Sequence, residues 1–147
     1  MAKAYLIVEG QGEVAAAGNL VQRLSLDLGL SLQWGTPLRE KQLHGASAIA
    51  TICERLRARP DCTQALLLRD EDDGCPAKSG PEIAGWLRNA KLPFPTAIIL
   101  AHREYEAWFL PCIHLMAGRA LKDERNIERP GVLPGTTYEG DPESIRG

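Results

Sequence analysis

The chain has 147 residues, with 17 Lys or Arg against 19 Asp or Glu and a formal net charge of −2. That length suits one core that buries roughly 68–70% of the unfolded surface, and a composition 44% hydrophobic and 24% charged excludes wholesale disorder. No apolar run approaches the roughly 18–20 residues that span a bilayer, and the apolar stretch before Glu9 is too short for a signal-peptide core, so the expectation is a cytoplasmic protein with no membrane partner.

Near-neutral charge exerts no long-range pull on a polyanion. Local groups or bound cations must then supply any attraction. Cys53, Cys62, Cys75 and Cys112 form no CxxC pair, and none lies at zinc-finger spacing from His44, His102 or His114. They read as reduced thiols, mostly buried or incidental.

Ala4 to Val8 is a continuous apolar run, the pattern of a strand buried on both faces. Past Glu9-Gly10-Gln11-Gly12, apolar residues recur at Val14, Ala17, Val21, Leu24 and Leu28 with helical spacing, and Gly29 is a natural stop. Leu30, Leu32 and Trp34 alternate with polar residues and predict a second strand ending near Gly35 and Pro37. Ile49, Ile52, Cys53 and Leu56 mark another helix closed by Arg59-Pro60. Its arginines Arg55, Arg57 and Arg59 read as a solvated face, with phosphate contact the alternative.

Ala65 to Leu68 is a buried-strand candidate followed by an acidic turn. Ser79-Gly80-Pro81-Glu82 predicts a helix start from its capping-box spacing and its proline. Ile83, Trp86, Leu87 and Ala90 form the stripe of that helix. Ala97 to Ala101 predicts a further strand, and a last apolar helix contains Tyr105, Trp108, Phe109, Leu110 and Ile113, kinked or restarted at Pro111. Alternating strands and helices indicate an α/β fold with a mainly parallel sheet flanked by helices. The boundary is drawn at 117, with 118–147 a polar extension. It closes on Asp141-Pro142-Glu143-Ser144-Ile145, which reads as a helix N-terminus in a truncated or mobile tail.

The three best strands are each followed at once by carboxylates. Segments 9–13, 69–74 and 102–106 together hold 8 acids in 16 residues, against 19 in 147 for the chain: Glu9, Glu13, Asp70, Glu71, Asp72, Asp73, Glu104 and Glu106. Ligand sites of open parallel sheets form outside the carboxyl ends of the strands. Carboxylates about 4 Å apart repel by roughly 4 kcal/mol at an effective dielectric of 20, and hard divalent cations relieve this. Two such ions can clamp the oxygens of a phosphodiester.

Plainer readings fit the same acids. Glu13 suits the first turn of a helix through the dipole alone, Asp72-Asp73-Gly74 is ordinary turn chemistry, and Glu104 and Glu106 suit the first turn of the last helix. No P-loop, dinucleotide fingerprint or serine or cysteine nucleophile signature is present.

Val8-Glu9-Gly10-Gln11-Gly12-Glu13 resembles the Glu-Gly-x-x-Glu opening of the Toprim domains of OLD-type (overcoming lysogenization defect) nucleases. Leu66-Leu67-Leu68-Arg69-Asp70-Glu71-Asp72 resembles their Asp-x-Asp motif, and Arg103-Glu104-Tyr105-Glu106-Ala107-Trp108-Phe109-Leu110 is similar to the signature of a Toprim-like bacterial family of unknown function. The resemblance spans 4–110. It implies a Toprim-like, Rossmann-like fold and a metal-dependent nuclease using Mg²⁺ or Mn²⁺, two ions together. The implied ligands are Glu9, Glu13, Asp70, Asp72, Glu104 and Glu106, with Glu9, Asp70 and Glu106 catalytic.

Nucleic acid, DNA before RNA, is the implied substrate, and an ABC/AAA-type ATPase the implied partner in defence against phage and other foreign DNA. The downstream lysine of OLD-type sites has no counterpart in a matching context; Lys122 is the nearest candidate, and Arg69 and Arg103 are possible electrostatic substitutes. His102 reads as a polar loop residue. The alternative is a catalytically weak or silent Toprim-like subunit that binds an ATPase.

Overall fold

Lys3–Val8 (β1) is buried from Ala4 onward, as an apolar run with neighbours on both faces requires. The computed structural model describes residues 1–41, 43–122 and 125–144. β1 pairs in parallel with Leu38–Arg39 (β2) on one side and with Cys62–Glu71 (β3) on the other, and Thr96–His102 (β4) completes the order β2-β1-β3-β4. Helices Gln11–Asp27 (α1), Gly45–Arg57 (α2) and Pro76–Asn89 (α3) join the strands. The fold is therefore α/β, with a mainly parallel sheet flanked by helices.

Side chains alternate across a strand, and this divides the residues between the two faces. Tyr5 and Ile7 of β1 and Ala65 and Leu67 of β3 share one cluster with Ile49, Ile52 and Leu56 of α2 and Ile83 and Leu87 of α3. The other face is met by α1, which packs on β1 and β2 and buries Ala17. α1 ends as its glycine predicts: Gly29 has φ +65°, its N–H donates to Leu26 O, and Leu30 N–H donates to Ser25 O. This is the paired geometry of a Schellman stop.

Three local expectations differ from the structure. The strand predicted at Leu30–Trp34 is a single bridge, Ala4 to Trp34, and the short strand lies at Leu38–Arg39 instead. β1 begins only at Lys3, so around Trp34 the ladder has just Ala4 to pair with, through Ala4 N–H to Gln33 O and Gly35 N–H to Ala4 O. α3 starts at Pro76 rather than near Ser79, because Pro76 itself occupies the first turn, where a missing N–H costs nothing; Pro81 then falls inside the helix. The last apolar segment, Tyr105–Leu115, is 3₁₀ rather than α, with Pro111 inside it.

The chain divides into two compact units, Met1–Ala101 and His102–Gly147, so the predicted boundary at 117 falls within the second. In that unit Tyr105 meets Trp108 and Phe109 edge-on, with ring centroids 5.5 and 5.3 Å away. Leu121–Lys122 (β5) and Glu128–Arg129 (β6) form an antiparallel pair. At the predicted helix start near Asp141, Pro142–Ser144 forms a 3₁₀ turn, with Ser144 N–H donating to Asp141 O; Ile145 lies outside the described residues. Among the described residues no helix is long and apolar enough to cross a membrane.

All four cysteines are free thiols. Burial pushes the Cys53 and Cys62 thiols above the ordinary range, whereas Cys75 is exposed. Thiolate is the reactive form. In native protein at neutral pH, a thiol reagent followed by peptide mass mapping is expected to label Cys75 first and Cys53 only on unfolding; equal rates would contradict this packing.

Candidate functional site

Parallel register sets Ile7 beside Leu67, so β1 and β3 run out at the same edge of the sheet. The residues just past that register, Glu9 and Arg69-Asp70-Glu71, are therefore neighbours. Glu9 Oε1 accepts the Leu43 N–H at 2.8 Å and lies 3.4 Å from His44 Nε2. Arg69 Nη1 donates to Leu43 O at 3.3 Å, its Nε to Asp70 O at 3.3 Å, and its Nη2 to Glu71 Oε2 at 2.7 Å. One residue, Leu43, is thus gripped at both its N–H and its carbonyl, while its side chain is fully buried in the core. The grip fixes where the chain enters α2, whose N-cap is His44.

Arg69 and Glu71 form a buried pair, with side chains 8% and 7% exposed. Such a pair adds little net stability over an apolar pair of the same volume, but losing one partner strands a buried charge. The hydrogen bonds to Leu43 and Asp70 satisfy further guanidinium protons, which makes the pair tolerable. Gly74 makes room for it: a Cβ there would stand 1.8 Å from Glu71 Oε1.

Glu13 is also buried, and it turns back onto the start of its own helix. Its Oε1 accepts Gly10 N–H at 3.2 Å and its Oε2 accepts Glu9 N–H at 3.3 Å. Two donors left over at a helix start are thereby satisfied, with the negative charge at the positive end of the dipole. A Cβ on Gly10 would come within 2.6 Å of Glu13 Oε1, so the glycine and the second glutamate of Glu-Gly-x-x-Glu act as one capping device.

Asp70 is half-buried, and strand alternation sends it to the opposite face from Arg69 and Glu71. Asp72 and Asp73 are exposed in the turn before α3. In the second unit, Glu104 is the N-cap of the 3₁₀ segment and its carbonyl accepts Ala107 N–H at 3.2 Å; Glu106 is exposed, with buried Tyr105 between them. Arg103 has φ +66°, a left-handed backbone that costs a non-glycine residue about 1–3 kcal/mol and that clusters at functional sites. His102 is the last residue of β4.

The first unit thus brings Glu9, Glu13, Asp70 and Asp72 to its carboxyl edge, with Glu9 and Glu13 engaged by backbone N–H groups. Glu104 and Glu106 belong to the second unit. Among the described residues no three His, Cys, Asp or Glu side chains gather as a metal cage. The expected ligands at this edge are nonetheless all carboxylates, the chemistry that suits Mg²⁺ or Mn²⁺, and Mg²⁺ is commonly held by one or two carboxylates with water and substrate phosphate.

Sequence reasoning missed the Arg69–Glu71 clamp. The available signal was an opposite-charge pair two residues apart directly after Leu66-Leu67-Leu68, a spacing that in a strand puts both side chains on one face. Arg69 is consequently a structural cation rather than one offered to a substrate. Comparison with protein-family models, curated proteins and solved structures finds no match to the chain.

Arg69→Ala is expected to lower unfolding free energy by about 3–5 kcal/mol in urea titrations, because Glu71 is left buried and unpaired. The double variant Arg69→Met/Glu71→Leu should recover much of that loss. Gly74→Ala should cost about 1–3 kcal/mol through overpacking. A neutral Arg69→Ala would show that the clamp does not hold the fold.

Proposed function

We propose that the chain is a divalent-metal-dependent phosphodiesterase, a nuclease of the Toprim-like kind that its sequence resembles. The observation that carries this reading is the parallel register of β1 on β3, Ile7 beside Leu67, which sets Glu9 beside the Arg69-Asp70-Glu71 end of β3 at one edge of a parallel sheet, the edge at which open α/β sheets bind ligands. Asp70 and Asp72 would hold Mg²⁺ or Mn²⁺. Such an ion, when bound, supplies Lewis acidity at a phosphoryl oxygen and lowers the pKa of coordinated water.

Glu9 has the anchorage expected of a group that must be held in one orientation: a backbone N–H fixes Oε1 and His44 flanks it. We assign it to proton handling at this edge. Glu13 supports the same edge by capping α1 rather than by direct contact with an ion. Glu104 and Glu106 enter as ligands through the resemblance alone. DNA is the substrate favoured over RNA, and an ABC/AAA-type ATPase acting in defence against foreign DNA is the favoured partner, both from the same resemblance.

A second reading is a silent subunit that binds such an ATPase. It is favoured by the engagement of Glu13 and Glu71 in capping and ion pairing, which removes two carboxylates from the reach of a cation.

Supercoiled plasmid incubated with Mg²⁺ or Mn²⁺, with and without EDTA, separates the two. The nuclease reading predicts metal-dependent nicking that falls by at least about 100-fold in Asp70→Ala/Asp72→Ala, the upper end of what losing even an outer-shell partner costs. Unchanged nicking in that variant would reject the site. No nicking with any divalent metal would leave the binding subunit.

A further inference from the structure

The opposite, amino edge of the sheet carries a cleft of about 810 Å³ whose lining includes Lys3, Tyr5, Thr36, Arg55, Arg59 and Asp61. That volume is within the range of ligand sites. It holds three cations against one carboxylate, in a chain whose net charge is −2. Two of the cations have acidic partners. Lys3 Nζ lies 3.1 Å from Asp61 Oδ2, a contact that raises the lysine pKa and lowers that of the aspartate, and Arg55 Nη1 lies 2.7 Å from Glu40 Oε2.

Arg59 is different. Its guanidinium carbon stands 4.8 Å from the centroid of the Tyr5 ring, and its Nη1 is 3.5 Å from Tyr5 Oη. Among the described residues no carboxylate lies within ion-pair distance of it.

The platform beneath Arg59 is rigid. Tyr5 is 4% exposed, and its Oη donates to the Asp61 carboxylate at 3.0–3.1 Å. Gly35 closes the ring from the side, since a Cβ there would approach within 2.4 Å of it. With Nη1 donating to Tyr5 Oη, the guanidinium over the ring keeps its other N–H groups for a second partner, and these suit the oxygens of a phosphate. Arg55, in the last turn of α2, lines the same cleft as Arg59, which follows the helix's C-cap Ala58. The dipole of α2 accounts for cations near its last turn, but not for an arginine stacked on a braced ring without an acid.

We infer that this cleft is a phosphate-binding site, with Arg59 as its principal contact and Arg55 and Lys3 in support. The Arg59–Tyr5 contact lies toward the amino end of β1, with Leu38 and Arg55 extending the cleft lining to the level of Ile7, and the site does not depend on the nuclease reading.

Two probes at low salt test the inference and distinguish the source of the phosphate: inorganic pyrophosphate by calorimetry, and a fluorescein-labelled 20-nucleotide single strand by anisotropy. Binding of either probe is expected to weaken at least tenfold in Arg59→Gln, and less in Arg55→Gln, with melting temperatures close to that of the parent. Asp70→Ala/Asp72→Ala should bind as the parent does. Arg59→Lys keeps the charge without the fork, so it should bind between parent and Arg59→Gln, and it serves if Arg59→Gln fails to fold. Pyrophosphate binding alone assigns a small phosphorylated ligand; binding of the strand alone assigns a polymer backbone. Failure of the parent to bind either probe, or equal binding in Arg59→Gln and Arg59→Lys and the parent, overturns the site.

Discussion

Leu43 is the point at which the first unit is held to its design. Its side chain belongs to the core, and its two backbone polar groups are taken by charged residues at the ends of neighbouring strands, Glu9 after β1 and Arg69 in β3. A loop that enters a helix through the core must have such partners, because an unpaired buried N–H or C=O costs about as much as a lost hydrogen bond. Glu71 neutralises the arginine, and Gly74 leaves space for Glu71. The parallel register of β1 on β3 makes the arrangement possible, and the arrangement penalises slippage, since a shift of one residue would carry Arg69 and Glu71 to the other face.

This constraint sorts the acids of the carboxyl edge. Glu13 and Glu71 are buried and committed to donors within the protein, one to a helix start and the other to a guanidinium. Glu9 is tied through one oxygen to Leu43. Asp70 is half-buried and Asp72 is exposed, and on the proposed reading these two meet the cation. Acid enrichment after strands is thus partly a folding requirement and partly, on the proposed reading, a ligand set. The amino edge differs in sign. There three cations meet one carboxylate, and the best-braced of them, Arg59, rests on an aromatic ring.

Much of the fold is legible in the residues because hydrophobic period reports burial directly. The Ala4–Val8 run, the Gly29 stop and the Ile49–Leu56 stripe all appear where the pattern places them. The misplacements share a cause: local pattern cannot know what lies alongside. Leu30, Leu32 and Trp34 alternate like a strand, yet only Ala4 is there to pair with Trp34. Ser79-Gly80-Pro81-Glu82 looks like a helix start, yet Pro76 has already begun one.

For the site, the positions of Glu9 and Asp70 at strand ends follow from their apolar runs. The backward reach of Glu13 depends on the small size of Gly10, and the burial of Arg69 on the distant Leu43. The first is a three-residue spacing that capping chemistry makes readable; the second cannot be seen in a window of local sequence. The acids of the second unit, Glu104 and Glu106, were legible as positions in a motif. Their environment, a 3₁₀ segment after a left-handed Arg103, was not.

On the proposed reading Asp70 and Asp72 face a cation while Glu13 and Glu71 hold the fold. Paramagnetic broadening of backbone amides by substoichiometric Mn²⁺ tests it most directly, since broadening falls steeply with distance from the ion. Selective loss of the amide signals at 70–74 and near Glu9 is expected, with those near Gly35 and Arg59 unaffected. Broadening spread evenly over every exposed acid of the chain, or none at 70–74, would contradict it.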